Sequence, residues 1–203
     1  MITKETIISS AKELFLKYGV KSVSMDDISR MLGISKKTIY TYIATKKDLV
    51  SSVVTAFIDE EVKMTTEITK SSKNAIDEIS SIAKYVLESL RAMKPSLVYD
   101  LQKYHPKAWK LVEGDHYDYI KNLIKKNIER GVKEGFYRDD TDSEVLSRMY
   151  IGLSRLMVNE EVFPTNQYDI SYLYESFLMY HLNGIMNTKG RKELVKYINI
   201  KAA

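Results

Sequence analysis

At 203 residues, with 44% hydrophobic and 29% charged residues, the chain is long enough for a substantial core and has an ordinary globular composition. It has no cysteine, which excludes disulfide and thiol chemistry and fits a reducing compartment. The formal net charge is +4, and residues 1–50 account for all of it, with nine basic and five acidic groups; the other 153 residues hold 22 of each.

No apolar run approaches the roughly 18 residues of a membrane span, and no apolar segment follows a basic start, so a cytoplasmic, unexported protein is expected. Eight glycines, three prolines and the lack of apolar alternation or hairpin signals predict an all-α chain.

Thr3 caps a first helix that places Ile7, Ile8, Ala11, Leu14, Phe15 and Tyr18 inward and stops at Gly19. Ser24 and Asp27 form a capping box for a second helix, with Ile28, Met31 and Leu32 as its buried stripe. Gly33 suits the left-handed turn that ends it, and Ile34 plugs the angle before Ser35 caps a third helix from Lys36. Ile39 and Ile43 face inward, leaving Lys36, Lys37, Thr38, Tyr40, Thr41 and Tyr42 outside. A helix-turn-helix needs this division, one face holding the reader to its domain while the other enters the major groove.

Thr45 and Asp48 open a long helix carrying Leu49, Val53, Phe57, Met64 and Ile68. The boundary between a DNA-binding domain (1–48) and a larger helical domain (49–203) is expected here. A polar turn at 70–74 precedes a helix marked by Ile76, Ile79, Ala83, Val86, Leu87 and Leu90. Pro95 and Pro106 bracket a short helix; from Pro106 a long one runs to about Gly135, with a kink expected at Gly114.

Two further helices, Glu144 to about Asn159 and Ile170 to about Ile185, are apolar around much of their circumference. Their stripes include Leu146, Met149, Leu153 and Leu156 on the first, and Leu173, Phe177, Leu178 and His181 on the second. Such helices bury more than one side, against a partner or within the chain's own core. A tail helix is expected from Arg191 to Ile198.

The run Gly33-Ile34-Ser35, Thr38-Ile39-Tyr40, Tyr42 and Lys46-Lys47-Asp48-Leu49 resembles the TetR/AcrR-like family of bacterial transcriptional regulators over about the first 50 residues. Ile43 stands where the family usually has Phe, and Lys47 where an acid is more frequent. The resemblance implies base contacts at Lys36, Lys37 and Thr41 and phosphate contacts at Tyr40, Tyr42 and Lys46. Ser24, Ser35, Thr3 and Lys4 are further expected contacts to the DNA backbone, and Thr38 completes the reading helix's motif.

The resemblance also implies a homodimer in which the two apolar C-terminal helices pair with their copies, an inverted-repeat operator, and a small-molecule pocket. Tyr85, Trp109, Tyr117 and Tyr150 are the aromatic candidates to line that pocket, with ordinary core packing as their alternative role. The reading is a repressor released from its operator by a ligand; a constitutive nucleoid or scaffold protein with the same head is the alternative. No metal or cofactor is expected: His105, His116 and His181 are scattered, and acid pairs such as Asp26-Asp27 and Glu160-Glu161 fall at caps and loops, which argues against an enzyme.

Overall fold

The structure, a computed structural model, describes residues 2–197. Among these residues the regular structure is helical, apart from one isolated antiparallel bridge between Tyr137 and Met186. The helices are α1 (Lys4–Tyr18), α2 (Met25–Leu32), α3 (Lys36–Tyr42), α4 (Lys46–Ser71), α5 (Ala75–Ala92), α6 (Leu97–Tyr104), α7 (Pro106–Leu111), α8 (Tyr117–Lys133), α9 (Ser143–Met157), α10 (Ile170–Ile185) and α11 (Thr188–Leu194). None of them is long and apolar enough to cross a membrane.

The chain packs as two compact units. The first comprises residues 1–62 and 91–116, the second 63–90 and 117–203, so α4 contributes residues to both. This grouping follows packing, whereas the division at 48/49 follows the sequence motif.

In the first unit, Ile7, Ala11 and Phe15 of α1 meet Ile28, Ile39, Ile43, Leu49 and Val50 in one apolar cluster, joined by Leu97 of α6 and Ala108 of α7. Two residues expected in this core lie outside it. Tyr18 and Met31 are exposed, each in the last turn of its helix, where no neighbouring element covers the side chain.

The long helix expected from Pro106 is interrupted. A π-helical turn over Val112–His116, with Gly114 at φ −90 and ψ −117, separates α7 from α8. The expected kink falls at that glycine, whose lack of a side chain lets the backbone leave the helical region.

The second unit is organised by charge as well as by apolar burial. Glu78 of α5 is only 2% exposed, and its carboxylate accepts from Arg130 of α8 at 2.7 Å. Arg130 also donates to Glu134 at 2.7 Å and to the Ser72 carbonyl at 3.0 Å. Glu134 in turn accepts from the Ala75 backbone N–H at the start of α5, where a negative charge is favoured.

Deeper still, Asn127 donates to the Ala75 carbonyl and accepts from the Tyr137 hydroxyl, both at 2.9 Å. Burial pushes the Tyr137 phenol well above its ordinary range, so it serves here as a donor. Its ring lies against Gly131, where an added Cβ would stand 2.1 Å from a ring carbon.

α9 packs against both α8 and α10. Leu173, Phe177 and Leu178, read from sequence as facing a partner, are instead buried inside the chain, because α10 spends that stripe on its own unit. The tail helix begins earlier than expected, at Thr188 behind an Asn187 cap, and Ile198 lies outside the described residues.

Candidate nucleic-acid interface

Three capped starts set the reader in place. The Ser24 hydroxyl accepts from the Asp27 N–H at 3.2 Å, while the Asp27 carboxylate accepts from the Ser24 N–H at 2.8 Å. The Asp27 carboxyl lies below the usual carboxylate range chiefly because the Ser24 hydroxyl donates to it. Gly33 takes φ +65, and Ile34 N–H returns to the Ser29 carbonyl at 3.0 Å, which stops α2 and turns the chain. Ser35 then accepts from the Thr38 N–H at 3.0 Å to start α3. Thr45 does the same for Asp48 at 3.1 Å to start α4.

With Ile39 fully buried and Ile43 beneath it, α3 turns one face outward. Lys36, Lys37, Tyr40, Thr41 and Tyr42 are exposed on it, and Thr38 is half-buried. Ser24, Ser35 and Lys4 are also exposed, and Thr3 is half-buried as the cap of α1, accepting from the Thr6 N–H at 3.2 Å.

Several of these side chains already have partners. Lys36 sits 3.0 Å from the Asp26 carboxylate, an exposed pair that contributes little and exchanges readily. Thr41 donates to the Thr38 carbonyl at 2.6 Å, and the Tyr42 hydroxyl to the Ile2 carbonyl at 3.1 Å.

Lys46 differs most from its expected place. It is half-buried, and its ammonium donates to the Val20 carbonyl at 2.8 Å. Burial pulls its pKa down, against the opposing pull of Asp100 and Asp27. Lys47 beside it is exposed, and both lysines add to burial in depressing His105.

Trp109 belongs to the first unit, and Tyr85, Tyr117 and Tyr150 to the second. Within the second, Tyr117 lies under the Arg155 guanidinium at 5.0 Å. Tyr150 packs edge-on against Phe177 and His181, with ring centroids 4.6 and 5.1 Å apart. Tyr150 also borders an open hollow of about 470 Å³ between α9 and α10, together with Leu146, Met149, Leu153 and His181.

Val145, Met149 and Leu156 are exposed on α9, and Tyr172 and Tyr180 on α10, Tyr180 at 71%; Met149 and Tyr180 also line the hollow. Periodicity on α10 drew attention to its most apolar stripe, which the fold covers. The same periodicity extends the stripe round the helix to Tyr180 but does not single out Tyr172.

An all-helical chain with this capped helix-turn-helix and this exposed reading face is a DNA-binding transcriptional regulator. The sequence profile of the bacterial regulatory proteins of the tetR family matches residues 7–53, so the DNA-binding head of the chain is similar to that of the TetR/AcrR-like regulators.

The uncharacterized HTH-type transcriptional regulator YvaF of Bacillus subtilis is 26% identical over 167 residues, 81% of this chain and 86% of that protein. The HTH-type transcriptional repressor KstR2 of Mycobacterium tuberculosis is 21% identical over 149 residues, 70% of this chain and 72% of its own length. In fold, the chain is similar to a Saccharomonospora viridis protein crystallised in complex with choline, with a TM-score of 0.71 at 18% identity, covering 91% of this chain and 97% of that one.

Proposed function

We propose that the protein is a cytoplasmic, homodimeric repressor that binds an inverted-repeat operator and is released from it by a small molecule. The carrying observation is the outward face of α3, where Lys36, Lys37, Tyr40, Thr41 and Tyr42 stand clear of the core built on Ile39 and Ile43. Lys36 and Lys37 offer donors to guanine O6 and N7, and Thr41 offers a methyl and a hydroxyl. Tyr40, Tyr42, Ser24, Ser35, Thr3 and Lys4 hold the backbone; Lys46, engaged with Val20, ranks below them as a phosphate contact.

Dimerisation through α9 and α10 is supported by their exposed apolar residues, Val145, Met149, Leu156, Tyr172 and Tyr180. Gly152 and Gly184 on the same helices have open space where a Cβ would lie, room for a second copy to approach closely. Two reading helices in successive major grooves lie about 34–36 Å apart, which calls for an inverted repeat.

Repression is supported by the relative named as a repressor, and ligand binding by the choline-bound protein of similar fold. A ligand acts here only by binding the form that leaves the operator more tightly than the form that holds it.

The test is selection of the operator from random duplex DNA with the wild-type protein and with Lys37→Ala. An inverted repeat is expected for the wild type. Relaxed preference at a particular base pair of each half-site is expected for the variant, at a cost of about 1–3 kcal/mol. Identical preferences for both proteins refute the assignment of Lys37, and no preference for any inverted repeat refutes the regulator reading.

A further inference from the structure

Residues 91–110 contain five basic groups, Arg91, Lys94, Lys103, Lys107 and Lys110, against the single acid Asp100. Division of the chain at residue 50 conceals this surplus, because acids elsewhere in the C-terminal part cancel it. The fold places this stretch in the same compact unit as the reading helix.

There the one acid turns inward. Asp100 is buried, and its carboxylate accepts from the Lys21 backbone N–H at 3.3 Å, just beyond the end of α1. The ammonium groups stay outside and gather on tyrosines. Lys21 Nζ lies 5.0 Å from the Tyr104 ring centroid and donates to its hydroxyl at 3.4 Å. Lys103 Nζ donates to the Tyr99 hydroxyl at 2.6 Å and lies 5.7 Å from the same Tyr104 ring. Lys94 donates to the Tyr18 carbonyl at 3.0 Å.

Among the described residues none of Lys21, Lys94 and Lys103 forms an ion pair with a carboxylate. Aromatic faces therefore orient Lys21 and Lys103 without neutralising them.

The patch adjoins the candidate interface along the chain. Lys46 at the start of α4 is held by the carbonyl of Val20, the residue before Lys21. Ser24, the cap of α2 and a candidate backbone contact, follows in the same short loop. Oriented ammonium groups interleaved with phenolic donors suit a run of phosphate oxygens, and duplex DNA continuing past the half-site supplies one.

We propose that Lys21, Lys103 and Tyr104 form an auxiliary phosphate-binding surface that grips duplex DNA flanking the half-site read by α3. This rests on the operator reading above, and the test separates the two.

The selected operator is prepared as a minimal duplex and as one longer by about ten base pairs at each end. Both are titrated by fluorescence anisotropy over a range of salt with the full-length wild type, K21Q/K103Q and the charge-conserving K21R/K103R. The wild type is expected to bind the longer duplex several-fold more tightly, with a salt slope steeper by roughly 3–4, for two more phosphates contacted by each protomer of the dimer.

K21Q/K103Q is expected to lose that gain while matching the wild type on the minimal duplex, and K21R/K103R to keep it. Equal wild-type affinity and slope on both duplexes overturn the proposal, as does an equal loss by K21Q/K103Q on both. Wild-type protein that binds neither duplex discards the operator reading and this surface with it.

Discussion

The DNA-binding head and the second compact unit are held in shape by different kinds of information. In the DNA-binding head, helix starts are set by side chains three residues away: Thr3 to Thr6, Ser24 to Asp27, Ser35 to Thr38 and Thr45 to Asp48. The second unit has local caps too, at Asp142, Asp169 and Asn187, but its interior is tied across the chain. Arg130 reaches Glu78 and Asn127 reaches Ala75, each 52 residues away, while Tyr119 meets Thr65 at 54 residues' distance. A reader that must present one face to DNA is thus specified locally and redundantly. The larger unit depends on a few polar ties whose loss is not shared out among neighbours.

The sharpest way to break this contrast is Arg130→Met. Removing the guanidinium leaves the Glu78 carboxylate buried without its charge partner, and a loss of about 3–5 kcal/mol is expected in urea unfolding. Adding Glu78→Gln should recover part of that loss, since the uncompensated charge goes with it. A loss below about 1 kcal/mol would show that the long-range tie is dispensable.

A smaller effect is expected from His181, which lies against Tyr150 and Phe177. Burial lowers its pKa from 6.5 to about 4. On acidification the unfolded chain takes up this proton before the folded one does. The corresponding stability is full above about pH 6.5, declines as the pH falls, and is gone by about pH 4. A drop on the order of 3 kcal/mol across that window is expected. His181→Gln should flatten this part of the pH profile, and an unchanged profile would remove the histidine from the account.

The smallest effect is expected in the head. Ser24→Ala removes one side of a capping box and should cost about 1 kcal/mol in thermal or denaturant unfolding. Helix α2 should keep its place, because Ile28 and the glycine turn still hold it. A loss as large as that of Arg130→Met would erase the distinction between the two units.

The same distinction explains how much of the protein could be read before it was folded. The caps at Ser24, Ser35 and Thr45, the stop at Gly33, the inward Ile39 and Ile43 and the kink at Gly114 were all legible, because each rests on interactions within one turn of helix. The exposed face of α3 follows from those inward isoleucines. Met31 and Tyr18 were misplaced because helical spacing says which way a side chain points, not whether a neighbouring element is there to cover it.

Only the tertiary structure decided where α10 would spend its apolar surface, with Leu173, Phe177 and Leu178 taken inside and Tyr172 and Tyr180 left out. It alone paired Arg130 with Glu78, hung Lys46 on the Val20 carbonyl, and carried the basic stretch 91–110 back beside the end of α1. The physical reason is range. A cap or a left-handed glycine is chosen by neighbours a few residues along the chain, whereas burial and charge pairing are chosen by whatever the folded chain brings alongside.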